Sequence, residues 1–389
     1  MKRSIRKLAA GAVCVVIALG TFGQQTDKIN VVTSAVPFLR ISPDARAGGM
    51  GDLGVATSGD VNSQFYNVAK YPFAPNKGSV AVTYTPWLKD LGLNDVYLAS
   101  LAGFYKLDDV QTLSTSLRYF SLGNIQFTDN LGNDLNSFRP REFSFDLGYS
   151  RKLSDPLSIG VAVRYINSNL AGGQAVNGVA YKAGSTVAAD LGLYYTTAKE
   201  DGAGWNFGLA LTNLGGKIGY TNDATQKDFI PANLALGAVY TSTFNEVNKI
   251  SFGLDIHKLL VPTPPSLGDS AGLANYRSKG VVSSWFSSFG DAPDGFSEEL
   301  REFYYSIGAE YWYNNQFAFR AGYFHEDKTK GNRQYFTVGA GIKYNIFGLN
   351  FSYLIPSGSG VNRNPLSNTL RFSLVFDFDG GSGGDSDKE

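Results

Sequence analysis

Cysteine is almost missing from this chain: the single one, Cys14, lies in an apolar run near the start. Past that run there is no thiol nucleophile, no disulfide partner and no cysteine metal ligand. Histidine is nearly as scarce, with only His257 and His325, which excludes a histidine-rich metal site. No G-x-S-x-G elbow for a serine nucleophile occurs. Beyond the first two dozen residues no apolar run approaches the roughly 20 residues of a membrane helix. An excess of positive charge is lacking too. Setting aside Lys2, Arg3, Arg6 and Lys7 leaves 30 basic residues against 34 acidic ones, a net of −4. A nucleic-acid binder needs a basic stripe to meet phosphates. Catalytic, cofactor-binding and metal-binding residues are therefore not expected, nor is a nucleic-acid partner.

The four basic residues precede an apolar run from Leu8 to Leu19, and Thr21-Phe22-Gly23 puts small residues at the two positions a signal peptidase reads. Residues 1–23 read as a signal peptide cut before Gln24. The run is too short to span a bilayer. Cys14 follows Val13 and has apolar residues after it, unlike a lipoprotein cysteine. An exported protein is expected.

What is abundant is aromatic and small: 22 Tyr, 27 Phe, 4 Trp and 45 Gly, at a mean hydropathy of −0.12. A soluble β-protein and a membrane barrel both fit that composition. Periodicity separates them. Strands are predicted near 79–87, 94–107, 111–122, 140–152, 156–169, 184–196, 204–214, 232–242, 248–260, 303–313, 316–326, 333–345, 348–356 and 367–378. Most exceed the roughly 5–6 residues of a soluble strand and suit the ~9–11 that cross a bilayer at a tilt. Phe143, Phe145, Leu147 and Tyr149 share one face, and Glu142, Ser144, Asp146 and Gly148 the other. Ile250, Phe252, Leu254 and Ile256 likewise oppose Ser251, Gly253, Asp255 and His257. One face suits lipid and the other a wet or filled lumen.

The connections alternate in length, short after even-numbered strands and longer after odd ones, with 88–93 the weakest fit. Outer-membrane barrels have short periplasmic turns and long outer loops, whereas a soluble sandwich has no reason to alternate. The reading is an all-β chain: a 14-stranded antiparallel transmembrane β-barrel over residues 79–378, in the bacterial outer membrane. So wide a barrel conducts water or holds a plug. Residues 24–78 lack alternation and carry Pro37, Pro43, Pro72 and Pro75. They read as a periplasmic N-terminal segment folded into the lumen. Residues 379–389, rich in Gly, Ser and Asp, read as a disordered acidic tail.

Each candidate site has a plainer alternative. Gly49-Met50-Gly51-Asp52-Leu53-Gly54 matches G-x-G-x-x-G, but no βαβ unit surrounds it; tight plug turns explain it better. His325-Glu326-Asp327 could activate a water, against a polar strand end leading into Lys328–Lys330. Glu298-Glu299 resembles a carboxylate pair, against Ser297 as a helix N-cap with acids in the first turn. In the loop 261–302, Val281, Val282, Trp285, Phe286 and Phe289 recur at helical spacing. Such a stripe on an outer loop folds over the barrel mouth, contacts lipid, or meets a protein partner. Trp285, Phe286 and Phe289 are the candidate partner-binding residues.

One block is recognisable. Phe38-Leu39-Arg40-Ile41-Ser42-Pro43-Asp44-Ala45-Arg46-Ala47-Gly48-Gly49-Met50-Gly51-Asp52, followed by Gly54-Val55-Ala56-Thr57-Ser58-Gly59-Asp60 and Asn67-Val68-Ala69-Lys70, resembles the PorV family. Its members are outer-membrane components of the Bacteroidetes type IX secretion system, within the wider group of long-chain fatty-acid transporter (FadL-like) barrels. Asp44, Arg46, Gly48, Gly49 and Gly51 form the plug motif of that block. The resemblance implies a FadL-like barrel and a shuttle without enzymatic activity. Such a shuttle binds the C-terminal signal domain of cargo at the translocon barrel. It carries cargo to a surface attachment complex that includes a cysteine sortase. It also implies an alternative, a channel for long-chain fatty acids or other hydrophobic molecules. Two departures stand out. Val68 replaces the proline of the Asn-Pro-Ala found in fatty-acid transporters. Eleven residues follow Phe378, where many outer-membrane proteins end on an aromatic.

Overall fold

Glycine, alternating apolar residues and paired turns leave the chain one way to satisfy its backbone in lipid, which is to close a sheet on itself. The computed structural model describes residues 29–88, 92–128, 132–176, 179–245, 247–265, 268–356 and 368–378. The expected signal peptide and acidic tail lie outside the described residues. Fourteen strands form a closed antiparallel barrel. They are β1 (Gly78–Pro86), β2 (Val96–Lys106), β3 (Gln111–Leu122), β4 (Arg141–Ser154), β5 (Leu157–Asn169), β6 (Gly184–Thr196) and β7 (Gly204–Gly215). The other half is β8 (Asn233–Asn245), β9 (Asn248–Leu259), β10 (Phe303–Tyr313), β11 (Phe317–His325), β12 (Gln334–Tyr344), β13 (Phe347–Pro356) and β14 (Leu370–Phe378). β1 pairs with β14, from Gly78 opposite Phe378 to Tyr84 opposite Phe372.

The polarity is inverted relative to a soluble protein. Val82, Leu101, Leu117, Phe145, Val163, Leu254, Phe319, Leu349 and Phe372 are exposed, while Thr83, Ser100, Arg118, Asp146, Arg164, Asp255, Arg320, Ser352 and Arg371 are buried. Lipid is the solvent that makes this arrangement stable. Aromatics gather toward both ends. Trp205 lies 4.9 Å from Tyr240 at one, and Tyr84 lies 5.5 Å from Tyr97 at the other, as expected of rings at membrane–water interfaces.

Turns at one end run from two residues, as at 155–156, to seven, at 197–203; connections at the opposite end run from eight, at 326–333, to 43, at 260–302. The connection after β1 covers 87–95 and belongs with the longer set. The longer connections carry structure that alternation does not foretell. Two-stranded hairpins pair Ile125–Thr128 with Asp134–Phe138, Ala175–Val176 with Val179–Ala180, and Ile218–Gly219 with Lys227–Asp228. The longest holds the helices Ser270–Ser278, Val281–Ser287 and Phe296–Arg301.

Residues 29–77 run through the lumen from the long-connection end to the short-turn end. Asn30 N–H donates to the Thr329 carbonyl and Ala35 N–H to Phe229, both on long-loop connections. At the other extreme Lys77 accepts from Lys106 N–H beside the short turns. Since β1 must begin at the short-turn end, the chain ahead of it traverses the barrel to reach that start.

A sealed lumen beneath an apolar cap

Inside the barrel the plug is held by side chains from nearly every strand. A short helix, α1 (Ala45–Gly48), is capped by Asp44, whose carboxylate accepts from Ala47 N–H at 2.6 Å. That fixes Arg46, which reaches the wall. Its guanidinium donates to both carboxylate oxygens of Glu310 on β10, at 2.9 and 2.7 Å, and to Asp60 at 2.7 Å. Arg320 on β11 donates to the same Glu310 at 2.8 Å. Asp255 on β9 accepts Gly54 N–H and Val55 N–H at 2.7 and 2.8 Å. Buried Lys70 closes the plug on itself through the Gly54 carbonyl and Thr57. Arg164, bonded to Asp146, Asp190 and Asn213, ties β4, β5, β6 and β7 together across the lumen face. Breaking any such buried pair strands a charge, which is why the plug is seated and not loose.

The plug glycines serve mainly as contact points. A side chain at Gly49 would sit 3.0 Å from the Gly339 Cα, and one at Gly48 2.6 Å from the Arg371 guanidinium. Gly51 alone of the motif also needs its freedom, at φ 70, against the Tyr323 backbone. The turn explanation of the G-x-G-x-x-G pattern therefore covers Gly51; close approach covers the others, Gly49 to the wall and Gly54 to the Tyr66 ring within the plug. Where fatty-acid transporters have Asn-Pro-Ala, Asn67 caps a 3-10 turn, Val68–Phe73, and donates to the Val55 and Leu193 carbonyls. Val68 sits against Gly148 and Gly160 of the wall.

Toward the short turns the lumen opens into a vestibule of about 680 Å³ whose lining includes Arg46, Asp60, Lys249, Glu310, Lys343 and Asp377. It ends against the Arg46–Glu310–Arg320 network. Toward the long loops the lumen is covered. Val36, Phe38 and Leu39 pack with Trp87, Phe120 and Ile230, and Val32 packs with Phe229, Leu259, Val261 and Tyr276.

Above this cover lie three helices: α2 (Ser270–Ser278), α3 (Val281–Ser287) and α4 (Phe296–Arg301). Glu298 and Glu299 stand in the first turn of α4, as expected. Gly295, not Ser297, is the N-cap of α4. Both acids are buried. Glu298 meets Lys330 at 2.6 Å, Glu299 meets Lys258 at 2.6 Å, and Glu302 meets both lysines at 3.0 and 2.7 Å. Burial opposes the ionised form of Glu298, but hydrogen bonds from Lys330 and Asp294 N–H outweigh it and hold the carboxyl below its ordinary range. A second clasp joins Glu326 to Arg40 at 2.9 Å and to Arg333 at 2.7 Å.

The stripe on α3 is turned outward. Ser284 and Ser288 take the buried positions and Trp285 is half-buried, while Phe286 is 74% and Phe289 45% exposed. Val282, Phe296 and Leu300 are exposed beside them. His325 lies between Tyr305 and Tyr323 at 6.4 and 6.2 Å. Asp327 instead accepts Thr329 N–H and hydroxyl, and Glu326 is spent on two arginines. No hydrogen bond joins His325 to Asp327 among the described residues. Apart from the local Glu326–Arg333 bond, the lysine and arginine clasps were not visible in the sequence, because their partners lie 28 to 286 residues apart.

The barrel's class follows from this geometry: it is a plugged fourteen-stranded antiparallel membrane β-barrel. The chain belongs to the family of the type IX secretion system protein PorV, whose family model matches residues 24–266. Among solved structures it is similar to the Ralstonia pickettii toluene transporter TbuX, at 12% identity and a TM-score of 0.52, over 86% of this chain and 98% of that one. It is similar also to the P. putida toluene transporter TodX, at 14% and 0.50, over 87% and 99%. These likenesses concern the fold. No curated protein matches the sequence. The family places the chain in the outer membrane as a component of the type IX secretion system.

Proposed function

We propose that this barrel is a non-enzymatic docking component of type IX secretion: it binds the folded C-terminal signal domain of exported cargo on its long-loop face and passes the cargo from the translocon barrel to a surface attachment complex containing a cysteine sortase. On this reading the long loops face the cell exterior and the short turns the periplasm. The observation that carries it is the contrast between a lumen filled by its own plug and an apolar set, Val282, Phe286, Phe289, Phe296 and Leu300, left uncovered on the cap. Partner binding concentrates on exposed aromatics of this kind, and Phe286 and Phe289 are the residues assigned to it, with half-buried Trp285 supporting them from below.

The test is site-specific photo-cross-linking from position 286 in outer membranes. Cross-links to cargo signal domains are expected, and to none of the cargo bodies. Efficient secretion with no cross-link from 286 or 296 would remove the cap from the mechanism.

A second reading, a channel for hydrophobic molecules, draws on the fold shared with toluene transporters. It requires a path past Arg46, Glu310 and Arg320, three charges closing the vestibule. Uptake of a labelled fatty acid that depends on this protein in whole cells would favour it.

A further inference from the structure

We infer that residues 29–36, the strap at the head of the plug, hold the cap in its docking shape, so that only a sealed barrel presents a competent partner-binding face. The inference rests on the docking role proposed above and concerns how that face is formed.

The cap cannot stand by itself. Its helices have nine, seven and six residues, below the length at which an isolated helix holds in water. They depend on what is buried under them. That buried cluster contains Val32, 5% exposed, together with Phe229, Leu259, Val261 and Tyr276, and Val281 of α3 packs against the cluster. Val32 belongs neither to the cap nor to the strand ends it covers. The strap's polar groups reach the same places. The Asn30 side chain donates to Glu298 of α4 at 3.3 Å, and its backbone N–H donates to Thr329 at 3.0 Å. The Tyr276 hydroxyl of α2 donates to the Thr33 carbonyl at 3.5 Å. Ala35 N–H donates to Phe229 at 2.8 Å. One short extended segment thus touches three connections: 216–232, 260–302 and 326–333.

Those connections also touch one another. Lys217 donates to the Arg277 and Lys279 carbonyls, and Lys330 meets Glu298. The strap adds Val32 to the apolar cluster that Phe229, Leu259, Val261 and Tyr276 form beneath the helices. The strap continues through Arg40, clasped by Glu326, into Asp44 and Arg46 of the plug. Seating the plug and building the cap are therefore coupled: a barrel whose N-terminal segment is not threaded lacks one buried member of the cluster on which α2 and α3 pack, and the strap's hydrogen bonds to three connections.

The experiment uses the full-length protein in detergent. In the double variant Asn30→Ala/Val32→Ala, trypsin cleavage at Arg277 and Lys279 is expected to quicken by about tenfold, as local opening becomes easier. The barrel keeps its heat-modifiable mobility, and capture of a purified cargo signal domain falls in parallel. A Gly51→Val variant, which disturbs the plug where it meets the Tyr323 backbone, is expected to do the same. Cleavage unchanged in both variants overturns the inference. Faster cleavage with capture unchanged leaves the strap's hold on the cap standing and sinks the docking role instead. Should the double variant not fold, Val32→Ala alone gives the same reading, with an intermediate rise expected and an unchanged rate again fatal.

Discussion

Arg46 of the plug and Glu310 of the wall meet in a two-pronged contact, Nε to Oε1 at 2.9 Å and Nη2 to Oε2 at 2.7 Å. The two residues are 264 apart in sequence, and their bond seats the plug against β10 at the head of the vestibule. Arg320 shares the same carboxylate, so two cations depend on one anion.

Removing that anion should be costly. Glu310→Gln leaves Arg320 and part of Arg46 buried without a counter-charge. The loss expected is about 3 kcal/mol, within the range for breaking a buried ion pair. Denaturant titration in detergent, followed by loss of heat-modifiable mobility, reads it. A change under about 0.5 kcal/mol would mean that the pair is hydrated and weak.

Space between plug and wall is as exacting as charge. A Cβ at Gly322 would overlap the Met50 carbonyl carbon. Gly322→Val should therefore push the plug off β11 without preventing barrel closure. In planar bilayers the unaltered protein is expected to be electrically silent, and the variant to show steady ion conductance. Open-channel currents from the unaltered protein would contradict a sealed lumen.

The cap aromatics should behave oppositely, mattering for binding and little for folding. Phe286→Asp and Phe296→Asp replace side chains that are 74% and 76% exposed. Stability should move by less than about 0.5 kcal/mol, while capture of the cargo signal domain drops at least about tenfold, the scale of a binding hot spot. Equal capture by both variants would exclude the cap surface.

Acid should loosen the clasp beside the cap. Burial pushes the Glu326 carboxyl up, but the Arg333 and Arg40 guanidiniums outweigh it and hold it below its usual value of 4.5. A carboxyl depressed in the folded state contributes stability in full above its unfolded value. That contribution is lost as pH falls through the folded one. Backbone hydrogen exchange of the 326–333 loop, corrected for its intrinsic pH dependence, should show constant protection down to the ordinary carboxylate value and lose it only as the pH falls below that value. Glu326→Gln should start with low protection and lose the dependence. A flat profile in the parent protein would show that the clasp carries no linkage.

Much of the barrel was legible in advance because its signal is local. The residues of β4 that alternate in the sequence, Phe145 and Leu147 against Ser144 and Asp146, are the ones that separate into exposed and buried. The expected strand β6, 184–196, matches in full, and β3 likewise. The loop hairpins were missed because two-residue bridges such as Ile218–Gly219 carry no period. The site was legible in part. The apolar stripe on α3 was visible, but its periodicity could not say which side faces water. Ser284 and Ser288, not Trp285 and Phe289, turned out to be the buried ones. The acids of α4 were legible as a first helical turn, but not their lysines, Lys258 and Lys330, which come from two other segments of the chain.

By itself the sequence determined the closed sheet, its fourteen strands, the lipid-facing and lumen-facing sides of each, and which end bears the long connections. All of these follow from a two-residue repeat and from turn spacing, which neighbouring residues set. Only the tertiary structure decided the direction in which residues 29–77 thread the barrel, the partners of Arg46, Arg164 and Glu326, and the burial of Val32 beneath the cap. Those depend on which strands a closed cylinder brings face to face across its interior, and no pattern along the chain encodes that distance.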